Sequence, residues 1–66
     1  MKYTREIYKG SKKIDAGTLV NILSSAYSRY SYKDVNLVFI IEEDKETIID
    51  DTEAIVINVE IEDRYE

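Results

Sequence analysis

The sequence predicts an α+β fold: a small single domain of order β-α-β-β-β, with one amphipathic helix packed on an antiparallel sheet. Three observations carry this expectation. Leu19, Ile22, Leu23, Ala26, Tyr27 and Tyr30 recur at i, i+3, i+4, i+7, i+8 and i+11, the spacing of one helix face. Ile55, Ile57, Val59 and Ile61 alternate with Val56, Asn58, Glu60 and Glu62, the period of a half-buried antiparallel strand. Val35, Leu37, Phe39 and Ile41 share one face of a third segment, and Val38 and Ile40 make its other face apolar too.

The first strand is expected over 2–8, where Tyr, Thr and Ile are strand formers. Lys9-Gly10-Ser11-Lys12-Lys13 reads as a polar turn in which Gly10 supplies a backbone angle that other residues resist. Asp15 is the expected N-cap, with Ile14 before it as a staple residue. The helix is expected over 16–30, and Ser31-Tyr32-Lys33-Asp34 ends it.

Strand 35–42 is expected to be central, with the helix on one face and a second subunit on the other. Glu43-Asp44-Lys45-Glu46 reads as a turn, 47–49 as a short strand, Asp50-Asp51-Thr52-Glu53 as another turn and 55–62 as the last strand. The last three strands then form a meander. The tail 63–66 is expected to fray, and the partner of the first strand is left open: the sheet edge or another subunit.

The chain has 66 residues with no Cys, His, Pro or Trp. So short a chain buries only about 60% of its unfolded surface, and disulfides, a metal or a partner subunit usually add support. Without Cys there is neither disulfide nor thiolate site, so oligomerisation is the expected support, a dimer being favoured. Without His and Cys, no Ser-His-Asp or Cys-His site can be built. The chain is also short for a pocket of the usual 300–1,000 Å³ or so. An enzyme is therefore not expected.

Met1-Lys2 leads into Tyr3-Thr4-Arg5-Glu6 rather than an apolar leader core, and the longest apolar run, Leu37 to Ile41, is five residues. A cytoplasmic protein without membrane contact is expected.

Charge is divided unevenly. Residues 1–41 hold seven basic and three acidic side chains, net +4; residues 42–66 hold eleven acidic and two basic, net −9. Glu42, Glu43, Asp44, Asp50, Asp51, Glu60 and Glu62 are the candidate partner-binding carboxylates. Same-face residues two apart on a strand, such as Glu60 and Glu62, lie about 6.8 Å apart. Such a row imitates nucleic-acid phosphates, which advance about 3.4 Å each along a DNA strand. The partner expected from the charge is a protein with a basic groove that serves nucleic acid.

Neither acidic run has the central Gly and twelve-residue frame of a calcium loop, so no metal or other cofactor is expected. Gly10-Ser11-Lys12-Lys13 lacks the spacing of a phosphate-binding loop. Direct nucleic-acid binding through Lys9, Lys12, Lys13, Arg29 and Lys33 is not expected beside the acidic half. Tyr27 and Tyr30 are assigned to the core, whereas Tyr3, Tyr8 and Tyr32 are candidate surface anchors, Tyr3 and Tyr32 at the rim of the partner site. Asn21, Ser24, Ser25 and Ser28 leave one helix face small enough for a close neighbour. Ser24, Ser25, Ser28, Val38 and Ile40 are the candidate self-association residues.

In size and acidity the chain resembles the loose class of short acidic proteins, encoded by phages and mobile elements, that block host enzymes. Anti-CRISPR proteins and DNA mimics belong to that class. The resemblance lies in composition and length, not in a motif, and it implies a non-enzymatic inhibitor of a nucleic-acid-handling defence protein in the host cytoplasm. The alternative is a structural or regulatory homo-oligomer with no such target.

Overall fold

A computed structural model describes residues 1–63. They form β1 (Lys2–Ser11), α1 (Ala16–Tyr30), β2 (Val35–Ile49) and β3 (Thr52–Asp63). The helix packs on one antiparallel sheet of strand order β1-β3-β2. The last strand in sequence is thus the middle one in space. β1 and β2 run parallel on either side of it, so β1-α1-β2 is a crossover with β3 inserted, a split β-α-β unit. This settles the partner of the first strand: β1 pairs with β3 along its length, from Lys2↔Glu62 to Ser11↔Ala54.

The helix forms where its periodicity and cap place it. The Asp15 carboxylate accepts from the Thr18 backbone N–H at 3.2 Å and from the Thr18 hydroxyl at 2.6 Å. These contacts occupy an otherwise unpaired amide of the first turn. At the other end the Ser31 N–H donates to the Tyr27 carbonyl at 2.8 Å. Ala26 is buried and Leu19, Ile22, Leu23 and Tyr30 are half-buried. Ala26 is the buried position on the helix face that covers the sheet, where Ile57, Val59 and Ile61 of β3 are wholly excluded from solvent.

Several expectations are corrected. The expected four strands are three: segments 35–42 and 47–49 belong to one strand, β2. Residues 43–46 do not reverse the chain. They enter an irregularity in which the register passes from Asp44↔Ala54 to Ile48↔Glu53. The Asp44 carboxylate accepts from the Glu46 N–H at 3.2 Å and the Thr47 hydroxyl at 2.7 Å. Its side chain therefore satisfies a local loop, after which the strand resumes in the same direction.

The sheet centre is β3, not 35–42, and β2 is an edge. The expected turn at 9–13 is also displaced, because β1 runs on to Ser11. Gly10 has no positive φ; it is buried because the Tyr8 ring lies across it, and an added Cβ would meet Tyr8 Cζ at 2.6 Å.

Tyr27 is exposed rather than in the core. It follows Ala26 by about 100° around the helix, which puts it on the flank. Asp63 is not frayed: it pairs with Val35, and its N–H donates to the Met1 carbonyl at 2.8 Å. Residues 64–66 of the expected tail lie outside the described residues.

Positive φ angles occur at Asp34 (64°), Asp50 (51°) and Asp51 (63°). Asp50-Asp51 is a two-residue loop closed by the Ile49↔Thr52 pair, with both central residues left-handed as a type I′ turn requires. That turn favours Asn-Gly. Asp50→Asn with Asp51→Gly should raise stability by about 1 kcal/mol by relieving left-handed backbone in L-residues. A calorimetric scan that shows a fall in melting temperature would contradict this turn geometry.

Candidate acidic interface

The partner-binding residues that the sequence groups together are separated by the fold: carboxylates on an arm and on a sheet face, and tyrosines at the far end. The arm arises because β1 stops. Ser11 lies opposite Ala54, the Lys12 N–H donates to the Glu53 carbonyl at 3.1 Å, and the chain then leaves the sheet. Beyond that point β2 and β3 continue as a two-stranded ribbon to the Asp50-Asp51 turn. The ribbon itself carries Glu46, Asp50, Asp51 and Glu53, and Glu42, Glu43 and Asp44 stand at its base, where β1 still pairs with β3; from Glu42 to Glu53 the chain holds seven carboxylates and one lysine.

Three of the seven have a cationic neighbour: Asp44 with Lys9 at 3.7 Å, Glu53 with Lys12 at 3.8 Å and Glu43 with Lys45 at 3.9 Å. These pairs are solvated and each contributes at most about 1 kcal/mol. Among the described residues, Glu42, Glu46, Asp50 and Asp51 have no ion pair within 4.0 Å and all four are exposed. Glu46 and Glu53 were not singled out from the sequence as partner-binding residues, although the −9 half contains them. They complete the arm.

Glu60 and Glu62 lie on the sheet face away from the helix. Glu60 sits between Thr4 and Val38, Glu62 between Lys2 and Asn36, and Lys2 reaches Glu60 at 3.6 Å. Tyr3 and Tyr32 belong to the end opposite the acidic turn. Tyr3 pairs with Ile61 on the helix-facing side, with the Arg5 guanidinium 4.8 Å from its ring centre. The Tyr32 hydroxyl donates to Asp63 Oδ2 at 3.2 Å. Partial burial and the Asp63 carboxylate push the Tyr32 hydroxyl above its usual 10.0. The Cα framework is 44 Å long, so these tyrosines do not share a rim with Asp50 and Asp51.

The serines are exposed. Ser25, with Thr18, Ile22 and Arg29, walls an open groove of about 360 Å³ whose other side is Glu6 and Ile7 of β1. Val38 and Ile40 lie on the open sheet face near the β2 edge, Val38 opposite Glu60 and Ile40 opposite Asn58. Among the described residues, no three carboxylates converge as metal ligands, and no helix is long and apolar enough to cross a membrane.

Two carboxylates are held below the usual 3.8. Asp15 is lowered by the Thr18 hydroxyl and backbone; Asp44 is lowered by the Thr47 hydroxyl, then the Glu46 N–H and Lys9. A lowered folded pKa means that the stabilisation is present above pH 3.8 and is lost as pH falls through the lowered value. The Glu46 amide proton should therefore show by NMR a titration step with a midpoint below pH 3.8, and Asp44→Asn should remove that step. A Glu46 signal insensitive to pH would contradict the Asp44 loop.

Comparison of the chain with family models, curated proteins and solved structures finds no match.

Proposed function

We propose that the protein is a non-enzymatic acidic binding protein whose β2–β3 arm enters a basic groove on a nucleic-acid-handling protein. The supporting observation is the concentration of seven carboxylates in the twelve residues from Glu42 to Glu53, at one end of an elongated molecule. On a strand, Glu42 and Asp44 lie about 6.8 Å apart, twice the ~3.4 Å rise per residue. Phosphates of one DNA strand advance ~3.4 Å each along the axis, so this pair spans the advance of two phosphates. The arm would occupy the phosphate track of the groove and exclude nucleic acid from it.

Glu60 and Glu62 continue the acidic potential along the open face, with Lys2 damping part of it. Tyr3 and Tyr32 act only if the partner also reaches the far end. The role is that of an inhibitor, as for the short phage-encoded acidic proteins that the chain resembles, acting in the host cytoplasm.

The test is capture on the immobilised chain from lysate of the cell in which it acts, followed by elution with duplex DNA and, separately, with salt. A retained protein should leave with either eluent. At about 0.5 M salt, screening shortens the reach of a charge to a few ångströms. A captured protein that resists both DNA and salt would sink the proposal.

A further inference from the structure

The two sheet edges differ. β1 is interrupted by a bulge between Glu6 and Tyr8 and carries Lys2, Arg5 and Lys9, features that discourage a further strand. β2 keeps unbroken register with β3 from Val35 to Asp44, has no Gly or Pro there, and meets its first lysine only at Lys45. Alternate backbone groups of this stretch point away from β3, where the described residues place no further strand.

The exposed apolar side chains gather at the same edge. Val38 is 43% and Ile41 55% exposed on β2; Val20 is 57% and Tyr27 58% exposed on α1. The α1 flank bearing Thr18, Ile22 and Arg29 faces β1 across the groove. Val20 and Tyr27, about 100–120° around the helix from Ala26 in the opposite sense, therefore overhang β2. Four of the seven large exposed apolar side chains thus line one edge.

We infer that β2 pairs antiparallel with β2 of a second copy about a two-fold axis at Phe39, making one six-stranded sheet. The sequence of the edge selects that register. The apolar run Leu37-Val38-Phe39-Ile40-Ile41 is centred on Phe39 and flanked by Asn36 and Glu42. With Phe39 opposite itself, Leu37 faces Ile41 of the second copy and Val38 faces Ile40. Asn36 then faces Glu42, so its amide can donate to the carboxylate.

A slip of one residue puts Leu37 opposite Glu42, or Asn36 opposite Ile41, and turns the two helices to opposite faces. Pairing ends where the strand does: Asp34 leaves it at a φ of 64°, and the irregularity begins after Asp44. In this register the helix-facing rows of the two copies are continuous. Their helices, each over its own β3, lie about 14 Å apart, three strand spacings of ~4.8 Å. That exceeds the usual 8–10 Å or so between packed helices, and Tyr27 of each copy projects into the gap. Ser24, Ser25 and Ser28 take no part. The acidic arms point outward at the two ends, so this assembly does not depend on their having a target.

Sedimentation equilibrium of the full chain, with no partner present, is the test. At high micromolar concentration the mass should be twice 7.7 kDa, and the urea midpoint should rise with protein concentration. Val38→Lys, on an exposed position, should give a monomer with unchanged circular dichroism. The chain has no cysteine, so single-cysteine variants report register. A mixture of Asn36→Cys and Glu42→Cys chains should cross-link under mild oxidation. Either variant alone should not, because its two sulfurs would stand about 20 Å apart at ~3.4 Å per residue. A mass of 7.7 kDa for the wild type, or cross-linking of either variant alone, would overturn the inference.

Discussion

Ile57→Ala should lower the urea midpoint far below that of the wild type, whereas Ile48→Ala should melt like the wild type. Both remove the same atoms, and the difference lies in what surrounds them. Ile57 is wholly buried at the middle of β3, between Tyr8 of β1 and Ile41 of β2 and under the helix. Ile48 is 63% exposed beyond the irregularity in β2.

Truncating a buried Ile to Ala costs about 2–5 kcal/mol, because the site loses transfer energy and retains a cavity. At roughly 0.05–0.15 kcal/mol per residue, a chain of this length has only about 3–10 kcal/mol in total. One such deletion removes most of that reserve at its lower end. Ile57→Val, which loses one methylene, should cost only about 0.5–1.5 kcal/mol and lower the melting temperature by several degrees. Urea titration followed by circular dichroism distinguishes the three variants. An Ile57→Ala midpoint near that of the wild type would mean that the row under the helix is not the source of stability.

The parts of this fold legible in the sequence are those in which one periodicity acts alone. The helix needs only the 3.6-residue stripe and the Asp15 cap, and both lie in contiguous sequence. The alternation of Ile55, Ile57, Val59 and Ile61 likewise states which face of β3 is buried. What local pattern does not contain is which strand lies in the middle. β2 is apolar on both faces, a feature that central strands and self-associating edges share, and the difference is a property of pairing rather than composition.

The continuity of β2 was hidden by chemistry. Glu43-Asp44-Lys45-Glu46 has the polarity of a turn, and Asp44 does fold back on Glu46 and Thr47, but the chain direction is kept. The acidic half was legible as a quantity, not as a place. Register moves Glu60 and Glu62 to the open face and Asp50 and Asp51 to the tip of the arm. Tyr32 goes to the end held by Asp63.

That separation makes the proposed function testable by position. An arm variant combining Glu46→Lys, Asp50→Asn and Asp51→Gly should slow association with the DNA-displaceable protein recovered by capture. A charged patch facing a groove of opposite sign raises association rates by roughly 10- to 1000-fold, and the loss should lie in that range at low salt. The turn substitutions are chosen because Asn-Gly fits the left-handed angles at 50 and 51, so lost binding cannot be ascribed to a damaged turn.

Glu60→Gln with Glu62→Gln on the sheet face should change the rate far less. Those side chains are at least four strand residues from Glu42 at the base of the arm, about 14 Å at ~3.4 Å each, and Lys2 already offsets one of them. Surface plasmon resonance across a salt series separates the two groups. The wild type should lose association rate steeply with salt and the arm variant should have little slope left. Equal slopes for wild type and arm variant would show that the carboxylates of the arm do not steer the encounter. A larger loss from the Glu60 and Glu62 pair would move the binding surface from the arm to the open face of the sheet.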